Sequence, residues 1–206
     1  MNKRKLASIA KTLAPSLQGC GVKDKLLFRM PLGPVLRGIY LERSGDPSGF
    51  YVWVFFQPLC IPETDVFFNL GWRLGGGAHR WTCDTPGGME ALLDAMRTEA
   101  LPFLDRIQSP RDAALLAKMQ GPAGFISQRA IAYAFARGGD YAQAVRELDR
   151  PVAVGHTEPV AQQDSAAKLL RELIVNDREA AQRQLQTWED QTVRALGLER
   201  FVSQRG

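Results

Sequence analysis

The segment FYVWVFFQPLCIP, residues 50–62, constrains the fold more than any other part of this chain. Successive side chains of a β-strand point to opposite faces of its sheet. At that period the segment forms two apolar rows, one of Phe50, Val52, Val54 and Phe56 and the other of Tyr51, Trp53 and Phe55. We therefore predict a strand that is either covered on both sides or leaves one face for a partner.

Neighbouring segments show the same period and are rich in β-branched and aromatic residues. They predict four strands, which are KLLFRMP at 25–31, PVLRGIYLER at 34–43, GFYVWVFFQP at 49–58 and DVFFNLGWRL at 65–74. HRWTC at 79–83 predicts a short fifth strand. The turn SGDPSG and the absence of helix-length inserts favour an antiparallel meander.

The last long strand has one apolar row and one mostly polar row, which predicts a sheet with one dry face and one mixed face. Gly71 and Arg73 belong to the polar row. The sequence does not decide whether the row of Tyr51, Trp53 and Phe55 lies on the mixed face.

Helical periodicity precedes and follows these strands. Leu6, Ile9 and Leu13 predict an amphipathic first helix, which Pro15 ends or bends near Ala14. After Thr85 the pattern predicts a helix interrupted by Pro102, a helix over about 110–119 capped by Ser109, and two helices within 160–196. The expected break in the last pair is at Asn176 and Asp177, with Gly197 as a C-cap.

Residues 127–148 resemble a single helical hairpin of the tetratricopeptide type, through Ala132, Phe135, Gly139 and Tyr141. The resemblance ends at Pro151 and has no second copy in the chain, whereas repeat arrays need about three stacked repeats. We interpret this segment as one hairpin within a globular domain.

The predicted fold class is α+β, with an N-terminal helix, an antiparallel sheet of four to five strands and a C-terminal all-helical region. We expect residues 1–85 to form the helix and sheet. Residues 86–206 should form a helical region packed on the sheet, as one globular unit.

Composition argues against a membrane protein and against a disulfide-rich secreted protein. No apolar run approaches the roughly 18 to 20 residues of a membrane-spanning helix, which predicts a soluble protein without membrane contact. Three cysteines at unpaired spacing argue against a disulfide framework and favour a reducing cytoplasm. Residues 1–80 carry 11 Lys and Arg against 5 Asp and Glu. This excess either attracts an acidic partner or a nucleic acid or, because the basic residues are scattered, forms an ordinary solvated surface.

The common catalytic patterns are absent from the sequence. With His79 and His156 as its two histidines, the chain lacks the ligand spacing of a zinc site, and no G-x-S-x-G nucleophile motif occurs. The glycines of LGGGAHRW, residues 74–81, lack the Lys and Ser or Thr of a phosphate loop. We therefore predict no enzyme activity, no cofactor and no bound metal, while a catalytic site without a sequence signature stays open.

Arginines alternate with aromatic residues along the predicted sheet, a combination suited to stacking on bases and binding phosphates. The candidate binding residues are Arg37, Tyr51, Trp53, Arg73, His79, Arg80 and Trp81, with Arg29 beside them. The alternative is that most of these aromatic side chains belong to the core.

The order of APSLQGCGV, LLFRM, an arginine-bearing strand and FYVWVFFQPL resembles bacterial families of unknown function that include proteins regarded as toxin immunity proteins. The similarity covers residues 6–75 and departs at Val22, where such proteins often carry Phe. It implies an intracellular binder and transfers no functional residue. We predict a non-catalytic cytoplasmic protein-binding module that neutralises a toxin or effector by occlusion; the alternative is a nucleic-acid or nucleotide binder.

Overall fold

A computed structural model describes residues 1–121, 125–151 and 158–202 of the chain. It has the predicted α+β architecture, with an N-terminal helix, an antiparallel sheet of five strands and then helices. The chain divides into two compact units, each described separately below. The first unit comprises Met1–Phe56, Leu70–Ile107 and Arg200–Gly206, and the second comprises Gln57–Asn69 and Gln108–Glu199.

The sheet is a simple meander in which the strands lie in chain order. Its strands are β1 Cys20–Lys23, β2 Leu26–Arg29, β3 Val35–Arg43, β4 Phe50–Pro58 and β5 Gly71–Arg73. Three of the predicted strands match β2, β3 and β4 closely. The predicted fifth strand is reduced to one bridge, where Trp81 pairs with Phe50.

The prediction of a strand over residues 65–74 was wrong for most of its length, because β5 contains only Gly71–Arg73. Pro58 has no N–H to donate, so the β4 ladder cannot continue past this residue. The side chain of Gln57 instead bonds the backbone of the segment that was predicted to be a strand. Its Oε1 accepts the Phe67 N–H at 3.1 Å and its Nε2 donates to the Asp65 carbonyl at 3.4 Å.

Strand β1 is not among the predicted strands, because glycines at positions 19 and 21 are more typical of a helix end than of a strand. Gly19 has a φ of +72° and does turn the chain. Gly21 then pairs with Phe28 of β2, and a Cβ at this position would lie 3.0 Å from the Phe28 ring. Glycine here lets the ring lie over β1.

Helix α1, Lys3–Leu13, ends where Pro15 predicts, and a short 3₁₀ turn follows over Ala14–Ser16. The next helical segment consists of α2 Gly88–Ala95, a π-helical turn Met96–Ala100 and α3 Leu101–Asp105. The π turn ends two residues before Pro102, which cannot donate a backbone hydrogen bond, and the Leu101 N–H donates to the Met96 carbonyl five residues back.

One face of the sheet and these helices enclose the core of the first unit. The buried sheet residues are Leu27, Ile39, Leu41, Phe50, Val52 and Val54, and the helices contribute Leu6, Ile9, Leu13, Leu92, Met96 and Leu104. This is the dry face expected from the sequence.

The second unit is built mainly from helices α4 Pro110–Gln120, α5 Phe125–Arg137, α6 Tyr141–Leu148, α7 Glu158–Asn176 and α8 Arg178–Ala195. Ser109 caps α4 by accepting the Asp112 N–H, as predicted. Helices α5 and α6 form the predicted hairpin around Gly139, whose φ is +81°. The break at Asp177 and the left-handed Gly197 are confirmed as well.

Candidate functional site

Register places Tyr51, Trp53 and Phe55 on the mixed face of the sheet. Trp53 pairs directly with Arg73 of β5, and Phe55 pairs with Gly71. Directly paired residues project from the same face, which settles the side that the sequence left open. Phe55 is fully buried, whereas Tyr51 and Trp53 are half-buried.

Four side chains form a connected group on this face, which we call the Arg73 cluster: Glu42, Tyr51, Trp53 and Arg73. The Arg73 guanidinium carbon lies 3.9 Å from the centroid of the Tyr51 ring and 4.8 Å from that of Trp53. These distances are typical of cation–π contacts. The arginine therefore covers part of both aromatic side chains.

Glu42 completes the cluster from β3. Its Oε2 accepts the Trp53 Nε1–H at 2.8 Å and an Arg73 Nη2 hydrogen bond at 3.2 Å. Arg73 also donates through Nη1 to the carbonyl of Gly77 at 3.1 Å. The side chains of Arg73 and Glu42 remain 28% and 35% exposed, so the cluster is fixed by its own contacts yet reaches the surface.

Glu42 was not among the predicted site residues. It shares its strand face with Tyr40, and Tyr40 pairs with Leu26 of β2. Alternation along β3 places Glu42 on that face, but selecting it required the register between β3 and β4.

Arg37 does not join the Arg73 cluster. It precedes Ile39 by two residues and so projects from the core face, where its Nη1 donates to the Ile107 carbonyl at 3.2 Å. Burial, together with the nearby charge of Arg29, lowers the pKa of Arg37 below its usual value. Arg29 is itself held in a bidentate contact with Asp105, at 2.7 and 3.0 Å.

His79, Arg80 and Trp81 lie in the segment after β5. The exposed His79 ring stands edge-on to Trp81, with centroids 4.5 Å apart. Trp81 packs against the core and donates from Nε1 to the Leu74 carbonyl at 2.9 Å. Arg80 pairs with Asp46 at 3.1 Å; hydrogen bonds from Ser48, and then Arg80, hold the pKa of Asp46 below its usual value.

The thiols show no sign of activation. Burial raises the pKa of Cys20 and Cys83 above the usual value and raises the pKa of Cys60 to about 12. A thiol with a raised pKa is a poor nucleophile at neutral pH because the thiolate is the reactive form. Across residues 1–121, 125–151 and 158–202, no three His, Cys, Asp or Glu side chains are grouped so as to hold a metal ion. His156 lies outside the described residues.

Comparison with protein-family models, curated proteins and solved structures finds no match for this chain. Among its described helices, none is long and apolar enough to cross a bilayer. The case for the Arg73 cluster as a binding surface therefore rests on its own geometry.

Proposed function

We propose that this protein is a non-catalytic protein-binding module that docks its partner on the Arg73 cluster. The observation that carries the proposal is the stacking of Arg73 over two half-buried aromatic side chains, held in place by Glu42. Tryptophan, tyrosine and arginine supply most hot spots of protein interfaces, and a surface that is ordered before binding loses less entropy when it docks.

Charge supports a protein partner over a nucleic acid. Arg29, Arg73 and Arg80 are each paired with a carboxylate, and Arg37 is bonded to a carbonyl on the core face. Phosphate binding depends on cations that neutralise the nucleic-acid backbone. In the Arg73 cluster, the carboxylate of Glu42 opposes that interaction, and Arg73 already covers rings that bases would stack on.

The raised thiol pKa values support a binding function over covalent catalysis. We place the module in the cytoplasm because its three cysteines are free thiols. Neutralisation of a toxin by occlusion is the specific form of binding that we propose from the resemblance of residues 6–75. A toxin gene beside the gene for this chain would support it.

The test is a crosslinking pull-down with the full chain, followed by calorimetry on the recovered partner with matched variants. Tyr51→Ala should weaken binding more than about tenfold, as expected for an interface hot spot. Tyr141→Ala is the control, because Tyr141 is also half-buried beneath an arginine, with the Arg178 guanidinium carbon 5.2 Å from its ring centroid.

Equal affinities of the two variants, or recovery of no protein partner, would contradict the proposal. Binding of short RNA or DNA that weakens with salt and is lost in Arg73→Ala would favour the nucleic-acid function instead.

A further inference from the structure

Helix α4 exposes two large apolar side chains on one face. Met119 is 77% exposed and Leu115 is 44% exposed. The two residues are four positions apart, so they are neighbours on the helix surface. The opposite side of α4 is already used for packing, through the buried Ala113, Ala114 and Ala117.

These two side chains line a recess of about 450 Å³ in the second unit, with the buried Phe135 of α5 also in its lining. This volume is within the range of about 300 to 1,000 Å³ that is usual for ligand pockets. The polar lining consists of Arg111 and Lys118 from α4 and Asp140 and Gln143 from the start of α6. Asp140 is engaged as the cap of α6, where it accepts the Gln143 N–H.

A second recess, of about 490 Å³, adjoins the first at Lys118, which lines both. Its other lining residues are Arg146, Glu147, Asp149 and Arg150. We call the two recesses together the α4–α6 groove. Its first half combines the apolar side chains of Leu115, Met119 and Phe135 with a polar border, and its second half is lined by charged side chains.

Both carboxylates of the charged half are already paired. Glu147 is buried and lies 2.8 Å from the Lys118 Nζ and 3.5 Å from Arg150. Asp149 is paired with Arg171 of α7. Over both recesses four cations, Arg111, Lys118, Arg146 and Arg150, accompany three carboxylates, Asp140, Glu147 and Asp149. The lining therefore has an excess of one positive charge, and Arg146 is exposed.

We propose that the α4–α6 groove docks an acidic amphipathic helix of a partner protein. One large apolar side chain of this helix would enter the recess beside Leu115 and Met119, and Asp or Glu residues next to it would face Arg146 and Arg150. Methionine adapts its shape to different apolar partners, and an amphipathic helix binds such a groove through its own apolar face. Complementary charge would fix the register of the helix.

A second copy of this chain fits the groove less well. A symmetric dimer would place the same patch against itself, so two surfaces that each carry an excess of positive charge would meet. Juxtaposed like charges disfavour such an interface. The groove and the Arg73 cluster use different residues, so this inference does not rest on the proposed function.

The experiment is a selection from a displayed peptide library on the full chain, followed by fluorescence anisotropy on the enriched peptides. Enriched peptides should combine a large apolar residue with neighbouring Asp or Glu. Met119→Ala and Leu115→Ala should weaken their binding about tenfold, as expected for hot spots, and Arg146→Glu should weaken it and reduce its salt dependence. Val175→Ala and Leu169→Ala are matched controls, because these α7 residues are 61% and 42% exposed.

Three results would overturn the proposal. The first is a selection that yields no peptides, or only neutral or basic ones. The second is equal binding to Met119→Ala and Val175→Ala, with both variants shown by circular dichroism to be folded. The third is a dimer in sedimentation velocity that Met119→Ala dissociates, since the groove would then bind a second copy.

Discussion

Replacement of Arg73 by alanine tests whether the Arg73 cluster is ordered by its own contacts. The variant loses the stacking over Tyr51 and Trp53, at 3.9 and 4.8 Å, and the ion pair with Glu42 at 3.2 Å. It also loses the hydrogen bond to Gly77 at 3.1 Å. The sheet itself should remain, because β5 pairs with β4 through its backbone.

The expected cost follows from these contacts. Each cation–π contact contributes about 0.5 to 1 kcal/mol at a site that remains partly exposed. The ion pair is about one-third exposed and contributes about 0 to 1 kcal/mol, and the hydrogen bond to the carbonyl contributes about 0.5 to 1.5 kcal/mol. Because these contacts share one side chain and are not additive, we expect a loss of about 2 kcal/mol in the free energy of unfolding.

Urea unfolding followed by circular dichroism measures this loss as a lower midpoint at an unchanged slope. Arg80→Ala is the matched control. Arg80 pairs with Asp46 at 3.1 Å, with side chains 49% and 38% exposed, and such surface pairs contribute at most about 1 kcal/mol. Arg73→Lys should lie between Arg73→Ala and the wild type, because lysine keeps the charge without the planar fork.

A double-mutant cycle between Glu42→Gln and Arg73→Ala completes the test. We expect a coupling free energy of at least about 0.5 kcal/mol, since the two side chains are in contact. If Arg73→Ala costs no more than Arg80→Ala and the cycle shows no coupling, the cluster is not held by the contacts described, and the argument for a pre-ordered binding surface fails.

Two further predictions concern the sheet and the pH dependence of stability. Gly38→Ala should lower the free energy of unfolding by about 1 to 3 kcal/mol, because the new Cβ would lie 2.6 Å from the ring of the buried Phe55. Gly45→Ala, whose Cβ would meet no atom within 4 Å, should change it by less than about 1 kcal/mol, and equal effects in urea unfolding would refute the packing argument. Burial, and then the charge of Asp65, raise the pKa of Glu63 in the folded protein. The folded state therefore binds a proton more tightly than the unfolded chain does, and the free energy of unfolding falls as pH rises through the raised pKa. Glu63→Gln should therefore be more stable than wild type at pH 7, with a difference that vanishes as pH falls below about 4; a difference independent of pH in urea unfolding would contradict this.

The elements that could be predicted are those whose signals are local. Ser109 before Pro110 defined the start of α4, and Asp177 marked the break before α8, because a cap acts on backbone groups within its own turn. The prediction of a strand over residues 65–74 was too long because Asp65 and Phe67 bond to the side chain of Gln57 instead of a neighbouring strand, which local sequence does not indicate.

The candidate site was predictable in composition and not in arrangement. Tyr51, Trp53 and Arg73 could be selected from their residue types, but their stacking depends on the register between β4 and β5. Arg37 was selected by residue type although its position argued against it. It lies two residues before Ile39 and therefore shares that residue's apolar row, and in the structure its side chain is on the core face. Residue type alone does not specify a surface.

The interleaving of the two compact units has a consequence for synthesis of the chain. The second unit takes Gln57–Asn69 from one part of the sequence and Gln108–Glu199 from another. Within it, the Thr192 hydroxyl donates to the Ile61 carbonyl at 2.7 Å, across 131 residues of sequence. At about 5 to 20 residues per second, Ile61 leaves the ribosomal tunnel on the order of ten seconds before Thr192 does.

The first unit cannot form all its contacts earlier either, because Leu32 forms a bridge with Val202. Neither unit can therefore complete its contacts until nearly the whole chain has been made, and a single cut anywhere between residues 57 and 199 would divide both units. Nascent chains arrested before residue 192 should remain sensitive to protease in both units.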